Sequence, residues 1–94
     1  MYDFAVVGGG VLGLSLAWEL ARRSQSICVI DRSALGQSTS WGGAGIFPPP
    51  KDQATHDPVE QLRTLAHELH REWSERLLQD TGIDNQLVPC GAIY

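Results

Sequence analysis

Residues 3–13 read Asp-Phe-Ala-Val-Val-Gly-Gly-Gly-Val-Leu-Gly, an apolar run that breaks into glycine and resumes with a different period. The run up to Gly8 is short and rich in valine, as suits a strand buried on both faces. From Val11 to about Ser24 the spacing turns helical. Leu12, Leu16 and Leu20 fall at i, i+4 and i+8 with Ala17 and Ala21 beside them, while Glu19, Arg22 and Arg23 lie opposite. Residues 26–31, Ser-Ile-Cys-Val-Ile-Asp, form a second β-branched run. Strand, helix and strand within about thirty residues make a βαβ unit, because a parallel pair of strands requires such a crossover. The fold class is therefore α/β.

The glycines between strand and helix fit the spacing G-x-G-x-x-G, with Gly8, Gly10 and Gly13 in the three fixed places. Each has a physical task. Gly8 permits the tight turn off the strand, Gly10 lets a pyrophosphate approach the backbone, and Gly13 lets helix and strand pack closely. The phosphates would meet the free amides and the positive dipole end of the helix near Val11 and Leu12. Asp31 stands eighteen residues beyond Gly13, at the end of the second strand, where a carboxylate accepts hydrogen bonds from an adenosine ribose. An acid at this position argues against a 2′-phosphate and favours FAD or NAD over NADP, with Arg32 next to it weakening that preference slightly. The fingerprint by itself does not separate FAD from NAD. The unit reads as a Rossmann-like FAD/NAD(P)-binding βαβ, the N-terminal part of a larger doubly wound domain.

Outward from this unit the character of the chain changes. Residues 36–51 are too rich in glycine and proline for regular structure, and loops of that length in compact domains tend to be functional. Trp41 and the Ile46-Phe47 pair favour an ordered loop. Asp57-Pro58-Val59-Glu60 then announces a helix, with Asp57 as cap, Pro58 at the first position and Glu60 placed for a capping box. Val59, Leu62, Ala66, Leu69, Trp73 and Leu77 make one apolar stripe, and Gly82 after Thr81 is the stop. A further strand is expected to start around Pro89 and to be still running at Tyr94. One βαβ unit and one long helix leave sheet edges and an apolar stripe in need of partners. The sequence thus reads as an N-terminal segment, completed by the remainder of the same polypeptide or by an assembly partner.

Composition narrows the classes. In 94 residues, 43% are hydrophobic and 19% charged, which excludes a disordered chain. The net charge of −4 makes a nucleic-acid or anionic-membrane surface an unfavourable reading. Residues 1–50 carry three basic and three acidic side chains, so the excess lies from Lys51 onward. No apolar run approaches the roughly 20 residues of a membrane span. Asp3 ahead of the first apolar run and the absence of a basic leader argue against a signal peptide. Cys28 and Cys90 make no disulfide framework, so a reducing, cytoplasmic setting is expected, with both thiols as packing groups.

The stretches Val6–Leu20, Val29–Arg32, Ser38-Thr39-Ser40 and Ala44-Gly45-Ile46 together resemble the D-amino acid oxidase superfamily of FAD-dependent amine oxidases, and within it the glycine oxidase branch. The later Thr-Gly-Ile-Asp (81–84) and Cys-Gly-Ala-Ile-Tyr (90–94) are similar to that branch as well. The resemblance implies FAD as cofactor. It places Val11 and Leu12 at the pyrophosphate, Asp31 and Arg32 at the adenosine ribose, and Thr39 and Ser40 on the phosphate and ribityl side. Ala44, Gly45 and Ile46 would approach the flavin ring. It further implies oxidation of the C–N bond of a small amino acid or amine, with hydride passing to the flavin. The substrate-binding residues of the family lie in a later domain, so no catalytic residue is assigned within these 94. Three positions depart from the pattern: Asp31 stands where the family usually has glutamate, Trp41-Gly42-Gly43 replaces a small-residue triplet, and Pro48-Pro49-Pro50 stiffens the loop exit.

Other readings compete. An NAD-dependent dehydrogenase would use the same fingerprint but has no evident use for the Ser38–Ile46 loop. A cofactor-free interaction module would dock through the long helix. His67 and His70, three apart on that helix, lack the spacing of the zinc-protease signature, so no metal is expected. Arg63, Arg71 and Arg76 alternate with Glu60, Glu68, Glu72 and Glu75 and read as a solvated face.

Overall fold

A computed structural model describes residues 1–50 and 56–91. The elements run β1 (Phe4–Val7), α1 (Val11–Arg22), β2 (Ile27–Ile30), a single 3-10 turn (Thr39–Gly42) and α2 (Pro58–Thr81). The chain divides into two compact units, Met1–Gly45 and Ile46–Tyr94.

In the first unit β1 and β2 pair in parallel, with Phe4 opposite Ile27, Ala5 opposite Cys28, Val6 opposite Val29 and Val7 opposite Ile30. The Gly8 amide donates to the Ile30 carbonyl at 2.8 Å and the Asp3 amide to the Ser26 carbonyl at 2.9 Å, which extends the ladder at both ends. Asp3 also accepts from the Ser26 amide and hydroxyl, both at 2.8 Å, and these bonds hold its carboxyl below the usual carboxylate range. The α1 helix is the crossover, and it closes on the sheet over Val6, the one buried apolar residue of the described chain. The strand register then turns Val7 to the other side, where it is 83% exposed, and Ile30 beside it is 51% exposed. The apolar run 3–8 suits burial on both faces. Within this unit one helix covers one face, and no described element of residues 1–45 covers the other.

The second unit is built on α2, whose ends are set by Asp57, Pro58 and Gly82 as announced, while Glu60 turns to Arg63 instead of closing a capping box. The Asp57 carboxylate accepts from the Val59 amide at 2.9 Å, Pro58 occupies the first turn, and Gly82 takes the left-handed conformation (φ 71°) with its amide on the Leu78 carbonyl. Glu60 directs Oε1 to the Arg63 guanidinium at 2.7 Å, while its Oε2 is buried with no hydrogen-bond partner among the described residues. Glu72 and Arg76 pair one turn apart, as the alternation of charge predicts. Of the apolar stripe, Trp73 and Leu77 are half-buried, whereas Val59, Leu62 and Leu69 remain exposed. The Phe47 ring lies 4.3 Å from that of His70, centroid to centroid, so one histidine of the 67/70 pair serves as a packing group. Residues 83–91 adopt no strand, and Cys90 is exposed rather than packed because no described element covers this segment. Residues 92–94 of the expected strand and Lys51 of the expected loop lie outside the described residues.

Candidate dinucleotide site

The turn from β1 into α1 is possible only with glycine at two of its positions. Gly8 sits at φ +106°, a conformation that L side chains rarely adopt. At Gly13 the constraint is contact: an added Cβ would lie 1.8 Å from the Gly8 carbonyl oxygen and 3.3 Å from Cγ1 of Val6. The first turn of α1 therefore lies directly against the strand that precedes it. This close approach aims the helix N-terminus along the carboxyl end of the parallel pair, where α/β sheets bind ligands.

Helix α1 starts without a side chain to cap it locally. Gly10 is the cap residue and offers only its carbonyl, which accepts from the Leu14 amide at 2.9 Å. The first free amide, that of Val11, donates instead to the Ser40 hydroxyl at 2.9 Å. An added Cβ on Gly10 would stand 3.0 Å from that same oxygen. The Leu12 and Gly13 amides take no acceptor among the described residues, the first turn holds no acidic side chain, and Val11 and Leu12 are exposed. Open amides at the positive end of a helix dipole, with nothing negative in the turn, suit a phosphate oxygen.

Asp31 closes β2 on the same side. Its Oδ2 accepts from the Gly9 amide at 2.6 Å. Its Oδ1 accepts from the Ser33 amide at 2.8 Å and from the Ser33 hydroxyl at 3.0 Å. The Gly9 amide above all, and then Ser33, hold this carboxyl below the usual carboxylate range. A carboxylate offers about four lone-pair positions, so three protein donors leave room for a ribose hydroxyl. The residues present thus fit the two polar ends of an adenosine diphosphate moiety: donors for the diphosphate, an ionised acceptor for the sugar.

The expected site residues fall into two groups. Gly8, Gly10, Val11, Gly13, Asp31 and Ser40 come together in the first unit through the bonds and close approaches above, with Leu12 beside them in the first turn of α1. Arg32 is exposed beside Asp31, Thr39 opens the 3-10 turn, and Ala44 and Gly45 end the unit, Gly45 at φ +68°. Ile46 is 81% exposed and falls in the second unit, as Phe47 does. Trp41 is 79% exposed within the 3-10 turn. Three participants escaped the sequence reading: Gly9, Ser33 and Gly36, whose amide donates to the Gly9 carbonyl at 2.7 Å. Asp31-Arg32-Ser33 is a recognisable Asx-turn pattern and could have pointed to Ser33. No local pattern joins Gly9 to Asp31 or Gly36.

Among the described residues no three His, Cys, Asp or Glu side chains gather as a metal-binding group. No described helix is long and apolar enough to cross a membrane.

Comparison with known proteins gives this geometry its context. The FAD dependent oxidoreductase (DAO) family matches residues 3–94. The glycine oxidase of Geobacillus kaustophilus is 34% identical over 92 residues, covering 98% of this chain and 24% of that protein. The glycine oxidase of Pseudomonas putida is 34% identical over 89 residues, 95% of this chain and 24% of its own length. The bifunctional protein ThiO/ThiG of a Nostoc species is 32% identical over 91 residues, 97% of this chain and 14% of that one. This chain spans about a quarter of the length of the glycine oxidases it matches. No solved structure matches it. With the family matched over residues 3–94, the chain belongs to the DAO family of FAD-dependent oxidoreductases.

Proposed function

We propose that this chain forms the FAD-binding start of an enzyme that oxidises the C–N bond of a small amino acid or amine, of glycine oxidase type. The observation that carries the reading is the pairing of two features at one end of the parallel sheet. One is the uncapped first turn of α1, held against Gly8 by the absence of a Gly13 side chain; the other is the ionised Asp31 at the end of β2. The relatives named glycine oxidase favour the substrate class.

Each residue then has a defined task. The Leu12 and Gly13 amides would donate to the diphosphate, next to the Val11 amide that Ser40 holds. Asp31 accepts from the adenosine ribose. Thr39 and Ser40 would offer hydroxyls to the phosphate and ribityl side, and Ala44, Gly45 and Ile46 would approach the flavin, where alanine and glycine let backbone amides come close. Arg32, exposed next to Asp31, would stand with it at the adenosine ribose. When bound, the flavin supplies the hydride acceptor for the substrate α-carbon. Residues 1–45 hold and orient; the groups that grip the substrate belong to the rest of a doubly wound, two-domain protein with a cytoplasmic setting. The apolar stripe of the long α2 helix would pack against that remainder.

The test is the visible absorption spectrum of the protein purified at its natural length. A flavin spectrum that bleaches anaerobically on addition of glycine or another small amino acid is expected. A colourless protein that cannot be reconstituted with FAD would overturn the reading. Gly10→Val offers a site-specific check, because its side chain would press on the Ser40 hydroxyl, 3.0 Å from an added Cβ, and should empty the site of flavin.

A further inference from the structure

Gly9 is the middle, unspecified residue of the first glycine pair, yet both of its backbone polar groups are taken by one distant segment. The amide donates to Asp31 Oδ2 at 2.6 Å, and the carbonyl accepts from the Gly36 amide at 2.7 Å. Leu35 lies over the same residue: an added Cβ on Gly9 would stand 2.3 Å from Leu35 Cδ2 and 3.3 Å from Asp31 Oδ2. Asp31 is in turn oriented by Ser33 through two bonds to its other oxygen. Gly9 is buried, so neither of its polar groups has water as an easy substitute.

We propose that residues 31–36 form a grip that sets the glycine loop before any ligand arrives, with Asp31 as a positioning residue for the phosphate-binding amides as well as a contact for the sugar. This rests on the FAD-binding reading and adds a second role for the acid. The shorter aspartate is suited to it. One methylene shorter than a glutamate, its side chain keeps the carboxylate against the loop, where Oδ2 reaches Gly9 and Oδ1 reaches Ser33. Ser33 fixes which oxygen faces the loop. Gly36, at φ +74°, turns the chain so that its amide meets the Gly9 carbonyl. With the Gly9 peptides held on both sides, the turn into α1 has one conformation, and the Leu12 and Gly13 amides stay aimed at one point. Ordering a loop beforehand removes that entropy cost from binding.

The grip is separable from sugar recognition by a probe that has no sugar. In the flavin-stripped protein at its natural length, amide hydrogen exchange at Gly9 is measured for the wild type, Asp31→Ala, Asp31→Asn and Ser33→Ala. Inorganic pyrophosphate binding is measured on the same four proteins. The grip predicts Gly9 exchange on the order of 10-fold faster in Asp31→Ala, since one held hydrogen bond is lost from a local opening equilibrium. It also predicts weaker pyrophosphate binding in Asp31→Ala, with partial recovery in Asp31→Asn, which keeps one acceptor oxygen, and a smaller loss in Ser33→Ala. If Asp31→Ala weakens FAD but leaves pyrophosphate affinity and Gly9 exchange unchanged, the acid serves the ribose alone and the proposal is wrong. Faster exchange with unchanged pyrophosphate binding would equally overturn it. Should the wild type bind neither FAD nor pyrophosphate, the FAD-binding reading fails, while the exchange comparison still decides whether the grip exists.

Discussion

Residues 1–45 are held by hydrogen bonds that reach across the sequence, residues 46–91 by bonds that stay near home. In the first unit Asp3 meets Ser26, Gly9 meets Asp31 and Gly36, and Val11 meets Ser40, separations of 22 to 29 residues among the side-chain bonds. In the second the caps and pairs run from i to i+2, i+3 or i+4, and Ser74 reaches Asn85, 11 residues on. Long-range bonds fix backbone geometry at a point, which a binding loop needs. Local bonds fix a rod, and a rod with exposed leucines is a surface for something else to pack on.

The contrast can be broken most severely at Gly13. Gly13→Val would drive a side chain into the Gly8 carbonyl, 1.8 Å from an added Cβ. A loss of about 3 kcal/mol or more is expected, because backbone cannot move aside as a side chain can. Denaturant melting together with flavin content would show both effects at once. Retained flavin with an unchanged midpoint would mean that α1 does not lie against β1 as described.

Gly9→Ala should cost less, roughly 1–2 kcal/mol, since the atom it meets is the tip of Leu35 and a flexible side chain can yield. Pairing it with Leu35→Ala sharpens the point: the double variant should recover most of the loss if the clash is with that methyl. Two additive losses would place the strain elsewhere.

In the second unit Asp57→Ala removes a cap bond to Val59 and should cost about 1 kcal/mol. It should leave flavin retention untouched, which distinguishes damage to the rod from damage to the loop. Circular dichroism and a flavin-release assay on the same preparation would check this.

Acid is expected to act more gently, and on the first unit. Asp3 and Asp31 are held below the ordinary carboxylate value, Asp3 by Ser26 and Asp31 by Gly9 and then Ser33. A depressed folded pKa means that the ionised form is favoured by folding. The contribution is thus fully present above the unfolded value, about pH 4, and is lost as pH falls through the lowered values. Exchange of the Gly9 and Ser26 amides, followed from pH 5 downward with the intrinsic pH dependence removed, should show protection falling only below about pH 4. Loss of protection at higher pH would contradict the assignment. Smallest of all, Leu62→Ser on the 67% exposed face of α2 should change the stability of the described structure by less than about 0.5 kcal/mol. A larger loss in the protein at its natural length would show that this face is covered there.

Much of this was legible from residue order. The strand–helix–strand start, the glycine spacing, the acid at the end of the second run, and the start and stop of α2 all depend on local periodicity and on residues with special backbone freedom, and such signals are written in neighbouring positions. The family resemblance rested on these stretches together with the Ser38–Ile46 loop. What the residue order alone did not disclose is how Asp31 is used. Periodicity places it at the end of a strand; only folding brings its Oδ2 to Gly9 and leaves its Oδ1 to Ser33. The capture of the Val11 amide by Ser40, the Gly36 bond to the Gly9 carbonyl, and the exposure of Val7 and Ile30 are of the same kind. Each depends on which distant segment arrives at a given point, and on whether any segment arrives at all. A sequence pattern records a residue's preference for burial or for a partner, whereas the partner itself is chosen when the chain closes on itself.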